Sequence, residues 1–435
     1  MIMGSARAWG HRRRPVDSAV VPEPLRALII GAGLGGLCLA QGLRRAGFEV
    51  AVYERDAALA ARHQGYRIHV DSRAAQGLHE CLPAELYQLF LATCGQPSKQ
   101  VTVVTKGLRP VHTVRFPAAA TAAAGSPQAI STSVDRLTLR EILFTGLADV
   151  VHFGREFTHF SGEPQGPVRA HFSDGTTVAG DILVAADGVG SRVREQYLPG
   201  APAADTGTRC IYGKTLISAQ TVPLIPAFLA DGFAAVIGSR QVGMALGAVR
   251  FANRPDEAAR SVPGARLSAE RDFVMWSVAG QHAAFPGGDD ALSRYTGRQL
   301  HAVALEMTCT WHPDLRGLLA AAEADETFYV QVRAATPVPL WAPTNVTLLG
   351  DAIHAMSPAR GSGANIALLD AGNLCRNLAR AARGEVPARD AVHAYETQLV
   401  DYGFAAVRDS VAVLREGGGV LARLPSALAR LRRQH

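Results

Sequence analysis

Residues 25–54 read LRALIIGAGLGGLCLAQGLRRAGFEVAVYE, and this stretch decides the fold of the 435-residue chain. The apolar run LRALII predicts a short buried strand, GAGLGG a tight turn, LCLAQGLRRAG a helix closed by Gly47, and FEVAVY a second strand. A strand, a helix and a second strand in this order form a parallel βαβ unit. The stretch therefore predicts an α/β fold built on a parallel sheet.

Three glycines and one acid in this unit have the spacing of a dinucleotide site. Gly31 permits the tight turn, Gly33 lets a pyrophosphate approach the backbone, and Gly36 lets the helix pack closely on the strand. The N-terminal amides of the helix then face the phosphates. Glu54 ends the second strand eighteen residues after Gly36, where its carboxylate can accept hydrogen bonds from both ribose hydroxyls. Because a carboxylate repels a 2′-phosphate, this Rossmann-like unit suits FAD or NAD rather than NADP.

The composition is that of a globular enzyme. The chain has 48% hydrophobic and 19% charged residues, far from the composition of a disordered protein. Its formal net charge is +6, but the basic residues are spread along the chain without a basic stripe interleaved with aromatic residues. No segment reaches the roughly 18 apolar residues of a membrane span. We therefore expect neither nucleic acid nor a membrane as a partner.

Six cysteines are scattered without a CxxC pair. This spacing argues against a zinc site or a disulfide framework, so we expect no metal and a reducing, cytoplasmic location. The basic run from Arg12 to Arg14 is followed by Pro15 and Asp17, which interrupt the apolar stretch that an export signal needs.

The hydrophobic patterns divide the chain into two lobes with an extension at each end. Strand-like runs separated by turns between about 205 and 280 predict an antiparallel sheet in the second lobe. The predicted segments are a disordered basic extension at 1–24, the first part of the Rossmann-like lobe at 25–204 with a β hairpin insertion near 101–116, the second lobe at 205–330, the rest of the first lobe at 331–405, and a C-terminal helical segment with a basic amphipathic end at 406–435.

Two further motifs lie far downstream of the glycine turn. One is a buried strand followed by an Asp-Gly turn, DILVAADGVGSRVR at 181–194, which Ser191 and Arg194 complete. The other places a GD pair, a proline and a glycine-rich turn before a helix, LLGDAIHAMSPARGSGANIALLDAGNL at 348–374. Together with GAGLGG they resemble the motifs of the FAD-dependent aromatic hydroxylases of the p-hydroxybenzoate hydroxylase type. The resemblance covers most of residues 25–405.

The resemblance implies roles around FAD for residues in these motifs. Asp351 is placed to bind the ribityl hydroxyls, Pro358 lies beside the isoalloxazine ring, and Asp187 with Gly188 contacts the pyrophosphate. Arg136, in VDRLTLREIL, matches the arginine that lies over the ribityl chain and the flavin, where a planar and always charged donor group is suitable. The helix that starts at 361–365 directs its free amides towards flavin N1 and the C2 carbonyl. The predicted cofactor site comprises Gly31, Gly33, Leu34, Gly36, Glu54, Arg55, Arg67, Arg136, Asp187, Gly188, Asp351, Pro358, Gly361, Gly363, Ala364 and Asn365.

Two residues in or near these motifs have alternative roles. Arg67, in GYRIHV, is predicted to guide the flavin or the nicotinamide because the resembled family keeps an arginine near this loop, and a structural ion pair is the alternative. His354 titrates near neutral pH and so suits a catalytic base. The motif usually carries this histidine packed behind the cofactor, so we expect structural support. No catalytic base is predicted.

The substrate is expected to contact the sheet of the second lobe. Its residues Tyr212, Met244, Met275 and Trp276 are predicted to line the pocket, with plain core packing as the alternative for each. The register of the sheet, which decides the side-chain directions, is not defined by the pattern.

The resemblance implies a single-component monooxygenase. NADPH or NADH reduces FAD, O2 forms a hydroperoxide at flavin C4a, and the terminal oxygen hydroxylates or epoxidises a small organic substrate, aromatic or polyketide-like, as in secondary metabolism. We expect a monomer or a homodimer. The alternatives are a flavin reductase or dehydrogenase, a protein that only sequesters an intermediate, and a flavin halogenase. A halogenase would carry a WxWxIP segment, whereas Trp276 and Trp341 stand alone.

Overall fold

The computed structural model describes residues 24–61, 65–115, 126–163, 166–230, 232–238 and 242–417. The expected disorder of the N-terminal extension and the basic C-terminal end after 417 lie outside these residues.

The strands of the described part are β1 (Arg26–Ile30), β2 (Glu49–Glu54), β3 (Arg67–Val70), β4 (Gln100–Thr105), β5 (Pro110–Arg115), β6 (Thr132–Asp135), β7 (Val151–Phe153), β8 (Phe157–Ser161), β9 (Val168–Phe172), β10 (Thr177–Gly180), β11 (Ile182–Ala185), β12 (Ala203–Leu216), β13 (Gly232–Ile237), β14 (Gly243–Val249), β15 (Phe273–Gln281), β16 (Phe328–Ala335) and β17 (Val346–Leu348). The helices are α1 (Leu34–Arg45), α2 (Ser72–Cys81), α3 (Ala84–Thr93), α4 (Arg136–Phe144), α5 (Arg192–Tyr197), α6 (Ala227–Ala230), α7 (Pro255–Ala258), α8 (Gly288–Leu292), α9 (Gly297–Met307), α10 (Pro313–Ala320), α11 (Asp351–His354), α12 (Gly363–Ala382) and α13 (Ala388–Gly417).

The first lobe is built on a five-stranded sheet with the order β17-β11-β1-β2-β7. All neighbouring pairs are parallel. The central strand β1 is almost wholly apolar and buried, as expected for a parallel sheet covered on both faces. The carboxyl ends of β2, β1, β11 and β17 therefore lie side by side at one edge, which is where open α/β sheets bind ligands. Each predicted cofactor motif follows one of these four strands.

The second lobe is built on a seven-stranded sheet with the order β16-β12-β15-β14-β13-β4-β5. Its pairs are antiparallel except β13 with β4, which run parallel. The predicted fold class is confirmed: a Rossmann-like lobe, a second lobe on a largely antiparallel sheet, and helices α12 and α13 at the C-terminal end of the described residues.

The large sheet has two faces with different neighbours. The outer face packs on α6, α9 and α10, and its core includes Ile211, Met244 and Trp276. The inner face packs against the first lobe, and its apolar cluster includes Met275 with Tyr212. Because side chains alternate along a strand, neighbours in the sequence of β15 lie on opposite faces.

The structure differs from the predicted boundaries in two places. The hairpin near 101–116, predicted as an insertion in the first lobe, is β4 and β5 of the large sheet, where Ala234 of β13 pairs with Thr102. Strand β16 continues across the predicted boundary at 330 and pairs with β12. Both corrections have one cause, because local alternation identifies a strand but not its partner in the sheet.

Two small sheets complete the described fold. The antiparallel pair β3 and β6 lies between the first lobe and the inner face of the large sheet, and β8 to β10 form a three-stranded sheet. Among the residues described, no helix is both long and apolar enough to cross a membrane.

Candidate functional site

The glycine turn after β1 has the geometry that its sequence predicts. Gly31 has a φ of +109°, and a Cβ there would lie 2.3 Å from the Ala186 carbonyl oxygen. A Cβ on Gly36 would lie 2.1 Å from the Gly31 carbonyl oxygen, so α1 can approach the strand only without this side chain. A Cβ on Gly33 would meet nothing within 4 Å, and Gly33 caps α1 without a side-chain hydrogen bond. The N-terminus of α1 therefore opens onto space that a pyrophosphate can occupy.

Glu54 lies at the edge of this turn, at the end of β2. Its Oε2 accepts a hydrogen bond from the Ala32 amide at 2.9 Å, and its Oε1 accepts one from the Asp56 amide at 3.0 Å. Each carboxylate oxygen can accept more than one hydrogen bond, so this arrangement leaves acceptor capacity for ribose hydroxyls.

Arg140 is a buried residue of this site that the sequence interpretation missed. Its Nε donates to the Ala32 carbonyl oxygen at 2.9 Å, and its Nη2 lies 3.6 Å from Glu54 Oε2. The side chain thus fixes both the glycine turn and the acid. Its position four residues after Arg136 was an available signal, because residues i and i+4 share one face of a helix.

Asp187 and the glycine turn are in direct contact, because β11 pairs with β1. The position of a Cβ on Gly31 is 2.9 Å from the Asp187 amide nitrogen. Asp187 Oδ2 accepts a hydrogen bond from the Arg192 amide at 3.0 Å, whereas its buried Oδ1 has no hydrogen-bond partner in the described part of the chain. Burial raises the pKa of Asp187, although the hydrogen bond from Ser191 opposes this. An orphan carboxylate oxygen beside a phosphate-sized space fits a hydrogen-bond donor of a bound ligand.

Arg194 joins the Asp-Gly motif to the third motif. Its Nη1 donates to the Ala352 carbonyl oxygen at 3.0 Å, and its Nη2 donates to the Val189 carbonyl oxygen at 2.9 Å. The two motifs are far apart in the sequence, and this buried guanidinium holds them together.

The third motif presents an acid and a helix N-terminus next to each other. Asp351 follows β17, and its Oδ1 is 3.8 Å from the position of a Cβ on Gly363, the first residue of α12. Desolvation by the surrounding protein raises the pKa of the Asp351 carboxyl. The charges of His354 and Arg136 oppose this and lower the pKa. Helix α12 has no side-chain cap and no acid in its first turn, so its amides are available to a polarised carbonyl or an anion.

The side chain of Asn365 stabilises this turn rather than a cofactor. Its Nδ2 donates to the carbonyl oxygens of His69 and Gly361 at 2.8 and 2.9 Å, and its Oδ1 accepts from the Asp71 amide at 2.8 Å. Only the backbone amide of Asn365 is left for the predicted role. Pro358 is exposed beside this turn, and Ala364 is half-buried.

His354 lies behind the motif and is completely buried. Its Nε2 is 2.6 Å from Asp370 Oδ2, and Asp370 also accepts hydrogen bonds from the Gly350 amide and the Tyr402 hydroxyl. Burial alone would lower the pKa of His354, but the charge and the hydrogen bond of Asp370 raise it above its usual value. Both side chains are completely buried, so this pair suits structural support rather than proton transfer to a substrate.

The cleft at the sheet edge has the charge that a diphosphate needs. It has a volume of about 270 Å³. Five arginines and three acids line it: Arg55, Arg136, Arg140, Arg155, Arg192, Glu54, Glu156 and Asp187. The arginine excess fits the two negative charges of a pyrophosphate. These residues fit the adenosine and diphosphate of a dinucleotide such as FAD.

The structure divides the four predicted substrate residues between the two faces of the large sheet. Tyr212 and Met275 are on the inner face, where Tyr212 stacks on Phe328 with ring centroids 5.2 Å apart. Met244 and Trp276 are on the outer face, in the core with α9 and α10, so their predicted role is wrong. The alternation of the strands indicated two faces without indicating which one meets the first lobe.

One buried carboxyl near the site predicts a pH dependence of stability. Burial raises the pKa of Asp135, the N-cap of α4, to about 7, while Thr138 hydrogen bonds and Lys214 lower it and Glu270 raises it further. In the unfolded chain an aspartate pKa is near 4. Between about pH 4 and 7 the folded protein therefore holds a proton that the unfolded chain has lost, so stability falls as pH rises.

We expect Asp135→Asn, which keeps an N-cap oxygen, to remove up to about 1.4 kcal/mol per pH unit of this dependence. Urea unfolding at several values between about pH 5 and 8 measures it. Glu396→Gln is a parallel test at a second site: burial also raises the pKa of Glu396, which accepts a hydrogen bond from Thr347 of β17, to about 7, so this variant should remove a similar share of the slope. An equal slope in the wild type and Asp135→Asn would contradict the prediction.

Comparison with known proteins agrees with this site. A family model described as an NAD(P)-binding Rossmann-like domain matches residues 29–85, and one described as an FAD binding domain matches residues 318–410. The chain is 36% identical over 389 residues to the dual O-methyltransferase/FAD-dependent monooxygenase elcB of Phaeosphaeria nodorum, an alignment that covers 83% of this chain and 41% of that protein. It is 26% identical over 404 residues to the FAD-dependent monooxygenase thnD of Trichoderma harzianum, covering 88% of this chain and 91% of thnD.

The fold also matches a solved structure over nearly its whole length. A protein of Photorhabdus luminescens subsp. laumondii TTO1, assigned as an FAD-containing monooxygenase, is 29% identical with a TM-score of 0.76, covering 90% of this chain and 98% of its own. The chain spans 41–44% of the length of the dual-function curated relatives. With three motifs joined at one sheet edge and relatives of this kind along most of its length, the chain is a homologue of FAD-dependent monooxygenases.

Proposed function

We propose that this chain is an FAD-dependent monooxygenase that uses NADPH or NADH and O2 to hydroxylate or epoxidise a small organic substrate, aromatic or polyketide-like. One observation carries the proposal. The turn at Gly361, the predicted flavin end of the site, lies next to β3, and β3 lies against the aromatic inner face of the large sheet. A flavin end that opens onto an aromatic surface suits oxygen transfer to an aromatic or similarly flat substrate.

Bound FAD would supply the redox chemistry and the activation of O2. The chain itself would bind the adenosine and diphosphate through Glu54, the N-terminus of α1 and the arginines of the cleft. The amides at the start of α12 would stabilise negative charge on the reduced flavin ring. Tyr212, Met275 and Phe328 would exclude water from the space where oxygen is transferred.

We propose a reducing cytoplasm as the location, because all six cysteines are free thiols. A monomer or homodimer and a role in secondary metabolism complete the proposal. The nicotinamide is taken as a passing co-substrate, because the single predicted dinucleotide turn is used by FAD.

The test is oxygen incorporation by the reconstituted holoenzyme. The protein is loaded with FAD and incubated with NADPH or NADH, isotopically labelled O2 and a panel of phenols and aromatic polyketides, and products are analysed by mass spectrometry. We expect one labelled oxygen atom in the product of at least one substrate and faster NAD(P)H oxidation in its presence. NAD(P)H oxidation that yields only hydrogen peroxide with every compound would instead indicate a reductase or oxidase. Halide incorporation would indicate a halogenase.

A further inference from the structure

Helix α13 lies directly behind the third motif. Its Gly403 lets the helix approach His354, because a Cβ at position 403 would lie 2.9 Å from the imidazole Cδ2. One residue earlier, the Tyr402 hydroxyl donates a hydrogen bond to Asp370 Oδ1 at 2.6 Å. Phe404, one residue later, is buried in the core of the first lobe. This part of α13 is therefore a fixed support for the elements that carry the motif.

The same side of α13 also reaches the turn that precedes α12. Asp409 lies seven residues after Tyr402, which is close to two full turns of a helix. Its Oδ2 accepts a charged hydrogen bond from Arg360 Nη1 at 3.0 Å. Arg360 belongs to the flavin turn, residues 358–361, where Pro358 is predicted to lie beside the isoalloxazine ring. The ion pair therefore links the flavin turn to helix α13.

Local hydrogen bonds determine the shape of the flavin turn. At its start, Ser357 Oγ accepts a hydrogen bond from the Ala359 amide at 3.2 Å. At its end, Gly361 has a φ of +62°, and its carbonyl oxygen accepts a hydrogen bond from Asn365 Nδ2 at 2.9 Å. These bonds join neighbouring residues, so they do not define the distance between the turn and α13. The bond between Arg360 and Asp409 does define it.

The ion pair is suited to fixing a position rather than to raising stability. The Arg360 side chain is only 13% exposed, whereas that of Asp409 is 44% exposed. An ion pair with one partner this exposed contributes little to the free energy of unfolding, because water competes for both charges. The guanidinium is planar, however, and its donors point in fixed directions, so an acceptor on a fixed helix defines its orientation.

We propose that Arg360 and Asp409 form a positioning pair, which holds the flavin turn against α13 and thereby positions bound FAD at the start of α12. This inference rests on the proposed function. Neither residue is assigned a contact with the substrate or a part in bond making. The pair acts through the turn, because the flavin turn leads directly into the first amides of α12, and small displacements of reacting groups reduce reaction rates strongly.

The first test replaces Asp409 by alanine in the FAD-loaded protein. Alanine removes the acceptor and is well tolerated in a helix. We expect the midpoint potential of the bound flavin to fall, because the α12 amides are then less well aligned with the negative charge of the reduced ring. The potential is measured by equilibration with a reference dye. The Kd of FAD should change by less than about threefold, since the ion pair is partly exposed.

The second readout is the fate of the electrons from NAD(P)H. When oxygen is not transferred to a substrate, NAD(P)H, O2 and a proton yield NAD(P)+ and hydrogen peroxide. With a substrate identified by the labelled-oxygen assay, we expect Asp409→Ala to release roughly three- to tenfold more hydrogen peroxide per NAD(P)H than the wild type. Asp401→Ala, which removes an exposed acid of the same helix, is the matched control and should keep the wild-type potential and peroxide yield.

Variants of the other partner test whether the two residues act as a pair. Arg360→Gln should reproduce the effects of Asp409→Ala, and Arg360→Lys should keep part of the wild-type behaviour because it retains the charge. The double variant Arg360→Gln with Asp409→Ala should differ from the wild type no more than either single variant does. Thermal unfolding of the FAD-free proteins should give temperatures close to that of the wild type. If Asp409→Ala does not fold, the two Arg360 variants supply the same comparison.

Two results would overturn the inference. One is a wild-type flavin potential and peroxide yield in both Asp409→Ala and Arg360→Gln. The other is a double variant whose changes are the sum of those of the single variants, which would show that the residues act separately. A wild type that binds no FAD, or incorporates no labelled oxygen into any compound, would contradict the proposed function instead. A wild type that binds FAD without oxygenating a substrate still allows the comparison of potentials.

Discussion

Replacing Gly36 by alanine is expected to destabilise the first lobe strongly, whereas replacing Gly33 by alanine should leave the lobe folded but unable to retain FAD. A Cβ on Gly36 would lie 2.1 Å from the Gly31 carbonyl oxygen, a backbone atom that cannot move without breaking the turn. Overpacking of this kind costs about 3 kcal/mol or more, because α1 must separate from β1. A Cβ on Gly33 meets no protein atom within 4 Å and points into the space proposed for the pyrophosphate.

Two measurements separate these outcomes. Thermal unfolding of the FAD-free proteins reports the fold, and flavin absorbance per protein after gel filtration reports cofactor retention. We expect Gly33→Ala to unfold near the wild-type temperature with at least a roughly hundredfold loss of FAD affinity, about 3 kcal/mol. Gly200→Ala, where a Cβ also meets nothing within 4 Å, should match the wild type in both measurements. A yellow, stable Gly36→Ala protein would disprove the close approach of helix and strand.

Replacing Trp276 by alanine is expected to destabilise the protein by roughly 3–5 kcal/mol without a specific effect on substrate binding. The indole is fully buried in the outer-face core, and Gly213 on the adjacent strand makes room for it, since a Cβ there would lie 2.2 Å from the ring. Removing the ring leaves a large cavity between the sheet and its helices, and the free energy of unfolding falls accordingly.

The matched variant is Met275→Leu, one residue earlier and on the opposite face. Its volume is nearly conserved, so its free energy of unfolding should change by less than about 1.5 kcal/mol, while the KM of the substrate changes. Urea unfolding and steady-state NAD(P)H oxidation measure the two effects. A Trp276→Ala protein with normal stability and an altered KM would show that the assignment of faces is wrong.

Several parts of the site could be predicted because their chemistry is local in the sequence. Gly31, Gly33 and Glu54 all belong to the unit formed by β1, the glycine turn, α1 and β2. Their spacing along the chain therefore determines their positions relative to one another. Arg140 was missed although it lies one helical turn after Arg136, because an arginine in a helix is usually a surface residue and its burial depends on a neighbouring strand. The hydrogen bonds that occupy the Asn365 side chain were equally invisible, since His69 and Asp71 are almost three hundred residues away in the sequence.

The sequence by itself determined the parallel first lobe and the order of its motifs, because hydrophobic period and turn residues act over a few neighbouring positions. Only the tertiary structure decided that the 101–116 hairpin joins the large sheet, that Trp276 faces away from the site and Met275 towards it, and that Arg67 lies over the Phe233 ring. These are properties of strand pairing and of which face another lobe covers. They depend on packing between segments that are distant in the sequence. The period-two pattern of a strand identifies two faces but does not show which face packs against such a segment.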